Sequence, residues 1–266
     1  MKRVLIFLAI VLVLPAIAMA QGGVKKRRPL PYEYGTVVMD NYSEKAGMAP
    51  VVFEHWVHRS MFTCRLCHVD IGFAMKAGET AVKAADNMKG YYCGSCHNGK
   101  MERDGKKVFA SCREKPLPDE LPTCTRCHSE GRAVKRDFDF DRLTKGLPKG
   151  RLGNGVDWDK AEEKGLIRLT DYIEGVSIKR GALKVEGGLS LEARTEGMPD
   201  IIFSHKKHAV WDGCELCHPD IFVSVKKGSV KYSMQEMFEG KYCGVCHGKV
   251  AFPLLDCQRC HEKPVQ

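Results

Sequence analysis

The apolar residues of this chain fall in short groups, with one exception at the amino terminus. There, Lys2 and Arg3 precede an unbroken apolar run over residues 4–14, and small residues at 18–20 follow it. This order is typical of a secretory signal peptide, and the run is too short for a permanent membrane span. We predict cleavage before Gln21 and a mature protein outside the cytoplasm, with an uncleaved anchor as the rival interpretation.

Further along the chain, the pattern predicts only short elements. Asp157 can cap a helix over residues 158–164. Ser233 opens a capping box, which predicts a helix over residues 234–239. Residues 183–192 alternate around a Gly-Gly turn and predict a β-hairpin. No later segment is long and apolar enough to span a membrane.

Composition changes the picture, because 13 cysteines and 10 histidines in 266 residues require an explanation. Twelve of the cysteines belong to six copies of one motif, Cys-x-x-Cys-His, and only Cys112 lies outside it. The six copies are Cys64/Cys67/His68, Cys93/Cys96/His97, Cys124/Cys127/His128, Cys214/Cys217/His218, Cys243/Cys246/His247 and Cys257/Cys260/His261.

This spacing is the attachment pattern of c-type haem. The two thiols add across the two vinyl groups of one haem, and the adjacent histidine supplies an axial ligand to the iron. Structural zinc also uses paired cysteines, and a disulfide scaffold suits the compartment. Neither needs a histidine after every second cysteine, and a thioredoxin-like redox pair would occur only once. We therefore predict six covalently attached haem c groups.

The remaining four histidines form two His-x-x-His pairs, each beginning nine residues before the first cysteine of a motif triplet. They are His55 and His58, then His205 and His208. Imidazole suits iron, and the positions repeat, so we predict that all four are axial ligands. Residues three apart on a helical turn point in different directions, so that one pair can serve two haems.

Two irons, one in each half of the chain, then lack a sixth ligand from histidine. Methionine sulfur is the usual alternative. In the second half we predict Met234, with Met237 in reserve. The aligned residue in the first half is Ala84, which leaves Met88, Met75 or a five-coordinate iron open for the haem of the third motif.

The chain contains an internal repeat, because an offset of 150 aligns residues 53–97 with residues 203–247 without a gap. The third motifs are offset by 133, so the first copy has 17 extra residues, among which Cys112 is predicted to be a free thiol. The predicted parts are a signal peptide (1–20), an amino-terminal arm (21–48), a triheme unit (49–131), a linker (132–199) and a second triheme unit (200–266).

The run Phe-Ser-His-Lys-Lys-His at residues 203–208, followed by three motifs, resembles the cytochrome c7 group, the three-haem members of the class III cytochromes. The likeness is greatest to tandem triheme cytochromes and covers both units. It implies a multihaem cytochrome fold in which short helices and irregular chain wrap around the haems in two c7-like triheme units, with minor β-hairpin content. Units of this size have little core of their own.

The resemblance also implies which histidines share an iron. It pairs His55 with His68, His58 with His97, His205 with His218, and His208 with His247. Single c7 domains have another histidine shortly before the second motif, where this chain has Lys89 and Glu239. The departure favours the multi-unit members, in which methionine can serve the third haem.

These features predict an electron carrier, not an enzyme. The formal charge of +9 is better explained by haem propionates and docking patches than by nucleic acid, since no recognition motif accompanies it. We expect a periplasmic monomer, or one associated with the outer surface, with peripheral or no membrane contact. It would exchange electrons with periplasmic or membrane cytochromes. The alternatives are a haem reductase with one open iron and a subunit of an extracellular cytochrome filament.

The mature protein should therefore begin near Gln21 and exceed its polypeptide mass by six haem groups, because each motif supplies both thioether sulfurs. Intact-mass spectrometry of the secreted product checks this. A product with the polypeptide mass alone would contradict the covalent interpretation of the motifs.

Overall fold

The computed structural model describes residues 28–113, 121–129, 137–181, 185, 187–193, 197–223 and 226–262. The predicted signal peptide and the start of the arm lie outside these residues. Within them, no helix has the length and apolar character needed to cross a membrane.

The regular elements are short, as the sequence predicts, and irregular chain connects them. The helices are α1 (His55–Arg59), α2 (Ala84–Met88), α3 (Leu121–Cys124), α4 (Asp137–Thr144), α5 (Trp158–Glu163), α6 (His205–Asp212) and α7 (Met234–Phe238). The strands are β1 (Thr36–Met39), β2 (Val51–Glu54), β3 (Glu102–Arg103), β4 (Lys106–Lys107), β5 (Leu189–Leu191) and β6 (Ile201–Phe203). They form three antiparallel pairs, β1–β2, β3–β4 and β5–β6.

One frame recurs in both halves, in which a strand leads directly into the helix that begins with a predicted histidine ligand. β2 precedes α1, and β6 precedes α6 after one residue. Each of these strands also pairs, through its backbone, with the third motif of its half. The amide of Val52 donates to the carbonyl of Cys127 at 2.8 Å, and that of Ile202 donates to Cys260 at 2.9 Å. Backbone pairing thus ties the last motif to the histidine pair.

The helix boundaries agree with the capping residues read from the sequence. The Asp157 side chain accepts a hydrogen bond from the amide of Lys160 and begins α5. Ser233 and Glu236 form the predicted capping box of α7, which ends one residue earlier than predicted. The second arm of the hairpin predicted over residues 183–192 is β5, which pairs with β6. Most of the first arm lies outside the described residues.

The main hydrophobic cluster lies where the connecting segment meets both halves. Its buried members are Trp56, Phe140, Val156, Trp158 and Trp211. The described chain buries only ten hydrophobic residues in all. The polypeptide therefore has a small interior of its own for its length, as the short units suggest.

The second motif of each half packs tightly against the preceding helix. A methyl group on Gly244 would lie 1.8 Å from the carbonyl oxygen of Met237, and one on Gly94 would lie 1.8 Å from that of Asn87. The glycine inside each of these motifs is thus required by the close approach of α7 or α2. Neither glycine has a positive φ, so the constraint is steric.

Gly244→Ala should therefore destabilise the haem-loaded protein by about 1–3 kcal/mol, the usual cost of overpacking. Denaturant unfolding followed by circular dichroism measures the change. Gly146→Ala is the matched control, since nothing lies within 4 Å of the position of its added methyl group. Equal stability of the two variants would contradict the steric argument.

Candidate haem-binding sites

One large cavity, with a volume of about 1850 Å³, lies between the elements described above. Ordinary ligand pockets measure about 300–1,000 Å³, so the cavity is too large for a single small molecule. All of the motif cysteines and histidines line it except Cys124 and His128. The four histidines outside the motifs line it as well. The thiols and imidazoles predicted from spacing alone are thus brought to one interior surface.

Three of the four predicted histidine pairs face each other across this cavity. The ring centres of His55 and His68 are 6.4 Å apart, with an angle of 5° between the ring planes. Those of His58 and His97 are 6.2 Å apart, at 63°. Those of His208 and His247 are also 6.2 Å apart, at 58°. The fourth pair, His205 and His218, lines the same cavity.

These separations fit a single iron held between two imidazoles. An imidazole nitrogen ligates a first-row metal ion at about 2.0 Å and lies about 1.1 Å from its own ring centre, given ring bonds of roughly 1.33 Å. Two imidazoles on opposite sides of one iron therefore have ring centres about 6.2 Å apart. Direct stacking or hydrogen bonding would bring the rings much closer.

Backbone carbonyls orient most of these rings through Nδ1, which leaves Nε2 for a metal. The Nδ1–H group of His68 donates to the carbonyl of Phe73 at 2.8 Å, and that of His55 donates to Gly35 at 2.7 Å. His128 donates to Ala49 and His261 to Pro199, both at 2.6 Å. His208, His218 and His247 have carbonyl partners within their own segments. Such a second contact fixes the tautomer of a metal-ligating histidine.

A phenylalanine holds both histidines of each pair, a role that the sequence analysis missed. Phe53 lies edge-on to His55 at 4.8 Å and against His58 at 4.6 Å. Phe203 repeats the geometry in the second half, at 4.7 Å from His205 and 4.4 Å from His208. The sequence signal for this role was the position of the phenylalanine at the start of each repeat, two residues before the histidine pair.

Burial sets the protonation of the site. It lowers the pKa of His55 and of His247 to about 4, so both imidazoles are neutral at neutral pH and can offer a lone pair. It raises the pKa of Cys67, Cys93 and Cys217 to about 12, so these thiols keep their protons.

The alternatives weighed for the cysteines find no supporting arrangement. None of the thirteen cysteines is paired in a disulfide. Among the described residues, no three His, Cys, Asp or Glu side chains are gathered as a protein-held metal ion would need. The paired thiols instead stand beside facing imidazoles, an arrangement that fits a porphyrin held by sulfur on its edge and by nitrogen on its iron.

The third motif of each half is connected to the second by a phenylalanine and an arginine. The guanidinium carbon of Arg126 lies 4.1 Å from the ring centre of Phe109, which is 4.5 Å from the ring of His97. In the second half, Arg259 lies 4.5 Å from Phe252, which is 4.3 Å from His247. The arginine before the last cysteine of both third motifs was the signal that the sequence analysis missed.

The candidates for the two remaining axial positions lie in different surroundings. Met75, Met234 and Met237 line the cavity, whereas Met88 is 41% exposed. Met237 is also buried, and its backbone lies against Gly244. Cys112 follows the β3–β4 hairpin of the extra segment, and its sulfur accepts a contact from Asn87 Nδ2 at 3.8 Å. None of these contacts identifies a sixth ligand.

Paired thiols, facing imidazoles and a cavity of this size together define a multihaem c-type cytochrome. The family model described as cytochrome c7 and related cytochrome c matches residues 51–133 and 201–262, which together are more than half of the chain. The chain therefore belongs to this family and binds haem c. Members of this class transfer electrons, and they exchange them with other redox proteins.

Solved structures of similar proteins come from the same class. A c7-type three-heme cytochrome domain is 35% identical, covers 29% of this chain and 95% of its own, and has a TM-score of 0.27. The C-terminal hexaheme fragment of GSU1996 is 27% identical, covers 88% of this chain and 98% of its own, and has a TM-score of 0.26. The N-terminal hexaheme fragment is 23% identical, with 86% and 98% covered and a TM-score of 0.25. A search of curated proteins found no match.

His208→Ala should convert one additional haem to the high-spin state and leave the spin states of the others unchanged, because it removes one of the two imidazoles that face each other at 6.2 Å. Electron paramagnetic resonance and the visible spectrum measure spin state, and intact mass shows that haem attachment is unchanged. The exposed Lys206 lies on the same helix, so Lys206→Ala is the control. A His208→Ala protein with the same high-spin content as the unaltered protein would contradict the pairing with His247.

Proposed function

We propose that this protein is a periplasmic electron carrier with six haems, each attached through one Cys-x-x-Cys-His motif. Four irons would each have two histidine ligands, in the pairs named above. Met234 would be the sixth ligand of the iron bound by His261. Low-spin irons with both axial positions filled cannot bind a substrate, and therefore only pass electrons.

The observation that carries this proposal is the separation of the facing imidazoles, 6.2–6.4 Å in three pairs. A reductase would need an open coordination position with catalytic side chains around it. In the pairs whose geometry is known, both sides of the iron position are already taken by imidazole. The arrangement favours storage and passage of electrons over chemistry on a small molecule.

The chain's own residues would then set the reduction potentials of the haem irons. A bound haem supplies a one-electron iron couple. Carbonyl groups such as those of Gly35 and Phe73 accept the Nδ1 protons of the ligating histidines. This contact raises the basicity of the imidazole and, with two histidines on one iron, favours a low reduction potential. A methionine ligand would raise the potential of the third haem in the second unit.

The compartment and partners follow from the amino terminus and from the class. The predicted signal peptide would direct the chain out of the cytoplasm. Covalent attachment of the haems suits a carrier that works outside the cytoplasm. We propose that the mature protein is a monomer that docks transiently with periplasmic or membrane cytochromes. Its lysines and arginines would guide that encounter by charge.

Carbon monoxide tests the proposal, because it binds ferrous haem only where a coordination position is open. The reduced protein should bind at most one equivalent, at the haem of Cys124 and Cys127. Met234→Leu should add one further equivalent by opening the iron bound by His261. Met237→Leu changes the buried methionine of the same helix and should add none.

Titration of the Soret band with carbon monoxide measures these equivalents. Binding at several haems of the unaltered protein would overturn the carrier assignment in favour of an open-site enzyme. An unchanged titration in Met234→Leu would overturn Met234 as the ligand, and a gain in Met237→Leu would assign the position to Met237 instead.

A further inference from the structure

The junction between the two units is built around a single arginine. Arg59 is the last residue of α1, in the first unit. Its guanidinium carbon lies 5.1 Å from the ring centre of Trp158 and 5.1 Å from that of Trp211. One indole belongs to the connecting segment and the other to the second unit. Nη1 of Arg59 also donates to the carbonyl of Val250 in the second unit at 2.7 Å.

These contacts do not belong to the repeated ligand frame. Arg59 aligns with Ala209 in the second unit, and Trp211 aligns with Met61 in the first. A residue that served haem ligation within a unit would be expected in both copies, as Phe53 and Phe203 are. Arg59 and its indoles therefore serve the contact between units, where a planar guanidinium can stack on two aromatic faces.

Haem-attachment cysteines of both units meet beside this arginine. Cys64 packs against the hydrophobic cluster that contains Trp158 and Trp211, the two indoles on which Arg59 stacks. The Cys246 carbonyl accepts a hydrogen bond from the amide of Val250 at 3.0 Å, and the carbonyl of Val250 accepts one from Arg59. A cysteine of the first motif and one of the fifth thus both lie next to the residues that Arg59 contacts.

A thioether sulfur marks one edge of its porphyrin, because it is joined to a former vinyl group there. Haems attached at Cys64 and Cys246 would therefore each present one edge to the junction around Arg59. Transfer at this point would move one electron from a ferrous iron, which becomes ferric, to a ferric iron, which becomes ferrous. No bond forms or breaks.

Resting on the proposed function, we propose that electrons cross between the two units from the haem of the first motif to the haem of the fifth, or back, and that Arg59 is the positioning residue that holds these haems in contact. Electrons would then not pass through the haems in the order in which their motifs occur in the sequence. It leaves the first unit at its first haem and enters the second unit at its middle haem.

The test follows the haem methyl resonances of the loaded protein by nuclear magnetic resonance during a stepwise reductive titration. In the unaltered protein, proton contacts should connect the haems of the first and fifth motifs, and reduction of one should shift the reduction curve of the other. Arg59→Ala should lower the equilibrium constant for the docked arrangement by about 30-fold, as loss of a desolvated cation–π contact implies. The coupling between these two haems should then disappear.

Two further variants sharpen the result. Arg59→Lys keeps the charge but cannot stack a planar group on both indoles, so the coupling should also be lost. Arg103→Ala is the matched control, because Arg103 stacks on Phe62 at 4.7 Å and donates to the carbonyl of Met61, both within the first unit. It should leave the coupling unchanged.

Unchanged coupling in Arg59→Ala would overturn the role of Arg59. Should that variant fail to load haem, the unaltered protein decides, since the absence of proton contacts between these two haems overturns the crossing point and their presence supports it. Failure of the proposed function is distinguishable, because the unaltered protein would then have fewer than six haems or several high-spin irons.

Discussion

The fold depends on a pair of imidazoles held on opposite sides of one metal position. Ring centres 6.2–6.4 Å apart leave room for an iron and for little else between them. Each such pair joins a histidine of a short helix to a histidine that is distant in sequence. With only ten buried hydrophobic residues in the described chain, contacts through haem replace much of the apolar interior that a domain ordinarily needs.

The rest of the unit holds these rings in place. A strand positions the first histidine of the pair, a phenylalanine packs against both imidazoles, and backbone carbonyls fix the tautomers. The same strand pairs with the third motif. The backbone of the frame and the ligands therefore depend on each other, which is why haem attachment and folding are expected to be coupled.

The two units share this frame but meet through residues that are not shared. Trp56, Trp158 and Trp211 form most of the hydrophobic cluster. Trp56 aligns with Lys206 and Trp211 with Met61, and Trp158 lies in the connecting segment outside the repeat. Salt bridges add to the contact, since Arg180 reaches Asp70 at 2.8 Å and Glu215 at 2.7 Å. The connecting segment is therefore part of the junction between the units, and it supplies one of the two indoles that hold Arg59.

The sequence by itself determined the attachment chemistry, the histidine count and the duplication, because covalent attachment demands fixed spacings that are local in the chain. Capping residues likewise predicted α5 and α7. The partner of β5 could not be read from Leu189–Leu191, since pairing with a distant strand leaves no mark on local alternation. The Phe252–Arg259 contact escaped alignment because the extra 17 residues shift the register of the first copy. Only the tertiary structure brought Arg59 of the first unit to Trp211 and Val250 of the second, since packing between units depends on shapes that meet across long sequence separations.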